Sequence, residues 1–208
     1  MRVTPEQHLG DILRFGRDEA VRALGEARAD RLRSLTWARY YALVPDAPNF
    51  QEKTNRKLFV LTLPLLALYQ ALRQGLEIER EDALRLAEDM LHASYRERMS
   101  PVRVAALNVT YQVAPIRRVY LQQVTRMSEP GGFRIEVPEA SNAVLALDVH
   151  ACPIARFAEE HGAPEIVPLI CRLDDFLASK LSGLRLERTG TIGTGASHCD
   201  FRYVKKNQ

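Results

Sequence analysis

The stretch AVLALDVHACPIARFAEEHG, residues 143–162, changes periodicity in mid-course, and that change decides the fold class. Ala143 to Val149 is apolar enough for a buried strand. Cys152-Pro153 then opens a helix, because proline is favoured at the first helical position, and His161-Gly162 closes it with a glycine stop. Upstream, the turn composition Glu129-Pro130-Gly131-Gly132 precedes Phe133, Ile135 and Val137, whose alternation predicts a half-buried strand. Downstream, Pro164 begins a helix through Ile170 and Asp174 to Leu181, ended by Gly183. Leu184 to Thr189 alternates as a third strand, Gly190 to Gly195 is a Gly/Thr loop, and His198 to Val204 is a fourth strand. Cys199, Phe201 and Tyr203 share one face of it. The order strand–strand–helix–helix–strand–strand implies α+β with a mainly antiparallel sheet.

The preceding residues read as helical. Asp30–Tyr41 and Leu58–Gln74 are two helices separated by a loop with Pro45, Pro48 and Asn49. Leu58–Leu72 is about 15 residues long and interrupted by Thr62, Pro64 and Gln70, shorter than the ~20 a membrane span needs, so a buried helix started or kinked near Pro64 is expected. Glu79–Arg98 carries an apolar stripe at helical spacing. Val102–Met127 carries another, with Pro115 inside it, which predicts two shorter helices or one kinked one. The expected organisation is a single domain over 1–208, with a helical half at 1–128 and an α+β half at 129–208.

The 208 residues are 46% apolar and 26% charged, the proportions of a globular protein. The net charge of +3 is too small to argue for nucleic acid or an anionic membrane as a partner. The N-terminus lacks the pattern of a secretory signal, so a cytoplasmic protein with reduced thiols is the expectation. Scattered aliphatic residues on the long helices permit a homo-oligomer without demanding one.

The three cysteines, Cys152, Cys171 and Cys199, all fall in the last 57 residues. Cys152 sits at a helix start, where free N–H groups and the helix dipole favour thiolate, so its pKa is expected to fall. Asp148 and His150 precede it at alternating positions and are expected on its side of the strand. Cys171 lies on a helix with Asp174 and Asp175 at i+3 and i+4. Cys199 follows the loop Gly193-Thr194-Gly195, which offers backbone N–H donors beside it. The plain alternative is packing, since a free cysteine often serves as a small buried hydrophobe. No CxxC, HxxH or HExxH occurs, so no local motif calls for zinc, and no GxSxG, GxGxxG or phosphate-binding loop is present.

Cys152-Pro153, then Cys171-Arg172-Leu173-Asp174, then Gly195-Ala196-Ser197-His198-Cys199-Asp200-Phe201-Arg202-Tyr203 follow in that order, within about Val144–Val204. This series resembles the L-2-amino-thiazoline-4-carboxylic acid hydrolase family, whose members end in a similar G-x-x-x-C-D-F-R-aromatic run. The resemblance implies hydrolysis of a small cyclic amidine-like substrate, such as 2-aminothiazoline-4-carboxylate to N-carbamoyl-L-cysteine, on a bacterial route to cysteine. Two arrangements suit that chemistry. In one, a thiolate attacks the ring carbon, Cys152 being preferred and Cys199 next, while Asp174 holds the amidinium and moves protons. In the other, Cys152, Cys171 and Cys199 converge on a divalent metal, with Asp174 or His198 as the fourth ligand or proton shuttle. Gly195, His198 and Arg202 are candidates for substrate binding, and Arg202 or Arg172 would meet a substrate carboxylate. The cysteine elements also resemble, more weakly, those of small-ligand-sensing vinyl-reductase-type domains. A non-enzymatic ligand- or metal-binding module is therefore the rival expectation.

Overall fold

The computed structural model describes residues 4–126, 129–140 and 142–206. Its chain divides into two compact units, one made of Met1–Asn49 with Leu58–Arg98 and the other of Phe50–Lys57 with Met99–Gln208.

The first unit is helical. It contains α1 (Pro5–Phe15), α2 (Arg17–Leu24), α3 (Glu26–Leu43), the end of α4 (Lys53–Phe59), α5 (Thr62–Gln70) and α6 (Arg80–Arg98). Periodicity within the helical half marks no helix before Asp30, yet Thr4 and Gln7 form a reciprocal capping box that starts α1. Every residue of α5 from Thr62 to Tyr69 is buried, the pattern of a core helix apolar on all sides. It packs against α3 and α6, with Leu65, Leu66 and Leu68 fully enclosed. Each such side chain contributes about 1.5–3 kcal/mol relative to exposure. The longer run Lys53–Gly75 has the length and composition to cross a bilayer, but 67% of its apolar window is buried inside the protein. That is the buried helix expected near Pro64.

The second unit holds the rest of α4, then α7 (Pro101–Gln112) and α8 (Ala114–Thr125), the two shorter helices expected around Pro115. Met127, the expected end of that stripe, lies outside the described residues. Then come β1 (Arg134–Glu136), β2 (Leu145–Ala151), α9 (Pro153–Glu160), α10 (Val167–Ser179), β3 (Leu184–Glu187) and β4 (Cys199–Lys205). The sheet runs β1-β2-β4-β3 and every pair is antiparallel, as the α+β reading requires. Asn55, fully buried, accepts from the Phe133 amide at 3.0 Å and donates to Glu129, fixing the approach to β1.

The register gives the sheet two distinct faces. Val149 pairs with Cys199, Leu147 with Phe201 and Leu145 with Tyr203, so these six share one face. Asp148 pairs with Asp200 and Ala146 with Arg202 on the other. Helix α10 packs on β3 and on the short turn Ile192–Thr194 that leads back towards β4.

Candidate active site

The turn Thr191–Gly195 draws two of the three cysteines together. The Ile192 amide donates to the Cys199 sulfur at 3.2 Å. Thr191 and the Gly193 amide hydrogen-bond to Cys171 across the same turn. Gly193 is required there: a Cβ would stand 2.6 Å from Val167 Cγ1 and 3.2 Å from Cys171 Sγ. Asp200 ties down the start of the turn, accepting from the Thr189 amide at 2.9 Å and the Gly190 amide at 3.1 Å. Burial alone would raise the Asp200 carboxyl, but these donors outweigh it and hold the pKa low. The expected backbone donor beside Cys199 is thus present, supplied by Ile192. Gly195 serves the turn instead: its φ of +91° ends the loop in the left-handed region, and its amide is bonded to Ile192 O.

Cys152 lies within electrostatic reach of both Cys171 and Cys199. Its thiol does not become acidic. Burial pushes it up to about 11; the Ala155 and Ile154 amides at the start of α9 favour thiolate, but too weakly to offset that. This corrects the expectation of a lowered pKa: a helix start favours thiolate only where the sulfur can be solvated or firmly bonded, and no side-chain capping bond forms here. Burial likewise raises Cys171 and Cys199, so all three rest as thiols at neutral pH.

Asp174 stands on α10 one turn beyond Cys171, and its charge is felt by Cys171 and Cys199. Burial, the largest influence, pushes its carboxyl up to about 7. Arg188 pulls it down and Asp175 pushes it further up. The side chain still keeps 38% of its exposure, so the protein crowds the carboxyl without sealing it from solvent. Arg188, with 15% side-chain exposure, reaches Asp174 at 3.8 Å, pairs with Asp175, and donates twice to the Cys171 carbonyl at 3.1 and 3.2 Å. Its guanidinium also stands 5.8 Å from the Phe201 ring centre.

Tyr203 completes this face of the sheet. Its ring lies 4.7 Å from that of Tyr111 on α7, which in turn lies 5.9 Å from Tyr120 on α8. Arg188, Tyr111 and Tyr120 are absent from the sequence reading, because their partners are remote in the chain and no local spacing marks them.

The remaining candidates sit elsewhere. Arg202 is on the opposite face, bound to Asp148 at 2.7 Å and to the Leu147 carbonyl at 3.2 Å. His198 stacks on His150 with ring centres 5.4 Å apart, and His150 Nε2 lies 3.5 Å from Glu136. Asp148 and His150 thus have their own partners, Arg202 for the one and His198 and Glu136 for the other. The strand ends at Ala151, and Cys152, still extended, caps the start of α9. Among the described residues, no group of three or more His, Cys, Asp or Glu side chains is gathered closely enough to hold a metal ion, so the metal-centred arrangement finds no ready ligand set.

A comparison with curated proteins finds none that matches. Among solved structures, an H-NOX domain from Shewanella oneidensis in the Fe(II)CO ligation state aligns over 95% of this chain and 98% of its own, at 15% identity and a TM-score of 0.33. An H-NOX protein from S. oneidensis in the Fe(II)NO ligation state aligns over 95% and 99%, at 15% identity and a TM-score of 0.32. Likeness at that level carries no argument. The family model described as L-2-amino-thiazoline-4-carboxylic acid hydrolase matches residues 55–203, a span that includes α7, α8, the whole sheet up to Tyr203, and every residue of the Asp174 region. With more than two-thirds of its length so matched, the chain belongs to the L-2-amino-thiazoline-4-carboxylic acid hydrolase family.

Proposed function

We propose that the protein hydrolyses a small cyclic amidine of the 2-aminothiazoline-4-carboxylate type, and that Asp174 is the general base. One observation carries the reading: a carboxyl raised to about 7 stands on the cysteine-bearing face beside Arg188. A base with that pKa is divided between its two forms near neutral pH, which suits it to take a proton and return it. The electrophilic carbon lies between ring sulfur, ring nitrogen and the exocyclic nitrogen. Asp174 removes a proton from water as the water oxygen bonds to that carbon. The carbon–sulfur bond breaks, and the sulfur receives the proton held by Asp174. The hydroxyl proton left on the carbon shifts to nitrogen as the urea carbonyl forms, giving N-carbamoyl-L-cysteine. Arg188 orients Asp174. Cys152, Cys171 and Cys199 wall the site as neutral thiols.

A second reading rests on the Ile192 amide, which would support a thiolate at Cys199. There Asp174 takes the thiol proton, the Cys199 sulfur bonds to the ring carbon, and the ring carbon–sulfur bond breaks with the departing sulfur protonated. Water then displaces Cys199, whose thiol is restored. Neither reading routes a step through a metal.

The test is incubation of the purified protein with 2-aminothiazoline-4-carboxylate and detection of N-carbamoylcysteine by mass spectrometry. The expected result is product from the wild type and a rate at least about a hundredfold lower for Asp174→Asn. Absence of product from the wild type removes the substrate assignment; an undiminished Asp174→Asn removes the base. A chain mass increased by the substrate during turnover, lost in Cys199→Ala, would select the covalent route.

A further inference from the structure

The first unit contains a cavity of about 390 Å³ that the reaction above does not use. A space of that size holds a small organic molecule. Its wall comes from α1, α2, α3 and α6, and the first three precede residue 55, where the family match begins. Leu13, Leu32 and Met90 line it as buried apolar side chains. Gly10 and Arg14 stand one turn apart on α1, and Arg33 and Trp37 one turn apart on α3, so each helix turns an i, i+4 row to the cavity. A Cβ on Gly10 would meet nothing within 4 Å, so the missing side chain leaves open space there. Trp37 is fixed by its neighbours: its ring stacks on Tyr41 at 5.7 Å and meets Tyr40 edge-on at 5.9 Å. The indole wall is therefore preformed.

The charge lining the cavity is unbalanced. Arg14, Arg17 and Arg33 face a single carboxylate, Asp30. Arg17 is engaged by Glu26 at 2.6 Å and by Asp30 at 3.3 Å. Arg14 and Arg33 are exposed, and the Arg14 guanidinium lies 5.1 Å from the Phe15 ring centre. An apolar pocket with an indole wall and surplus positive charge complements a flat apolar ring that bears an anion, because guanidinium bonds to a carboxylate are charge-assisted and directional. We propose that this cavity binds a small organic anion, a carboxylate joined to an apolar ring. The ring lies against Trp37, Leu32 and Met90, and Arg14 and Arg33 take the carboxylate. The inference stands apart from the hydrolase reading, since every residue it uses belongs to the first unit.

Trp37 is the only tryptophan, so its indole N–H gives a single resonance that reports directly on the cavity. The test is titration of the full-length protein with 2-naphthoate, with the neutral isostere 2-naphthamide and with inorganic phosphate, followed by that resonance in an amide-correlation NMR spectrum. The expected result is a saturable shift with 2-naphthoate, with a Kd of about 1 mM or tighter, and binding of 2-naphthamide at least about tenfold weaker. Arg14→Gln and Arg33→Gln should each weaken 2-naphthoate about tenfold, the worth of a lost charge-assisted hydrogen bond. Gly10→Leu should abolish the shift by filling the space, without lowering the melting temperature, because leucine is the better helix former. Where Gly10→Leu does not fold, Arg33→Gln, a change at an exposed position, carries the test. No saturable shift with 2-naphthoate overturns the inference. So does equal binding of 2-naphthamide, or undiminished binding by a folded Gly10→Leu or by Arg33→Gln. Phosphate binding as tightly as 2-naphthoate also overturns it, since the arginines would then take a bare anion without the cavity.

Discussion

Arg188 reaches Asp174 at 3.8 Å while both arms of its guanidinium bond to the Cys171 carbonyl, one turn earlier on the same helix. The chain just beyond β3 is thereby fastened to the middle of α10, and the raised carboxyl is held beside a cation. Arg188→Met keeps the length of the side chain and removes both functions. It should destabilise the protein by about 1–3 kcal/mol in a denaturant melt, the worth of hydrogen bonds to a charged group. It should also raise the pKa of Asp174 further, since Arg188 is the influence that lowers it. An unchanged melt would show that the guanidinium fastens nothing.

Asp174 makes the protein less stable as the pH rises. Its folded pKa, about 7, lies above the 3.8 of an unperturbed aspartate, so between those values the folded state binds a proton that the unfolded state has lost. Stability from this group is fully present below about 3.8 and is lost as the pH climbs through 7. Asp174→Asn removes the titration. Its melting temperature relative to the wild type should therefore increase from pH 5 to pH 8, as measured by calorimetry. A constant difference across that range would mean an ordinary carboxyl.

The thiols should be slow to alkylate. Burial raises the pKa of all three, Cys152 to about 11, and only the thiolate reacts. With iodoacetamide at pH 7.5, followed by intact mass, each should react at least about tenfold more slowly than a free cysteine. One thiol reacting rapidly at neutral pH would restore a resting thiolate nucleophile and favour the covalent route.

Gly193 has no room for a side chain. In Gly193→Ala the Cβ would meet Val167 at 2.6 Å and the Cys171 sulfur at 3.2 Å, so the turn must move and take the Ile192 amide from Cys199. Overpacking of this kind costs about 1–3 kcal/mol. A thermal melt and a turnover assay should both fall. By contrast, Gly195→Asn, at a position with open space around it, should be tolerated, because asparagine adopts the left-handed region most readily after glycine.

Much of the fold was legible because its signals are local. Proline at 115 divides α7 from α8, Cys152-Pro153 starts α9, and alternation marks the strands. The site was legible in part. Cys171, Asp174 and Cys199 do share a region, but the reason lies in the turn Thr191–Gly195 and in Arg188, neither of which spacing reveals. The reading of Cys152 failed in sign because a helix-start argument counts dipoles and omits desolvation, which outweighs them here. Arg202 and His198 follow the motif in sequence yet lie across the sheet from Cys199 or turn away to His150. Adjacent residues in a strand face opposite sides, so a contiguous motif is split by the sheet it forms.

The pH dependence of kcat/KM tests most directly whether Asp174 works as a base with a pKa near 7, because that quantity reports the free enzyme. With 2-aminothiazoline-4-carboxylate as substrate, kcat/KM should rise with pH through about 7 and level off above it, and Asp174→Asn should lose that limb along with most of the activity. A profile flat from pH 5 to pH 9, or an Asp174→Asn variant with the wild-type profile, would contradict the account.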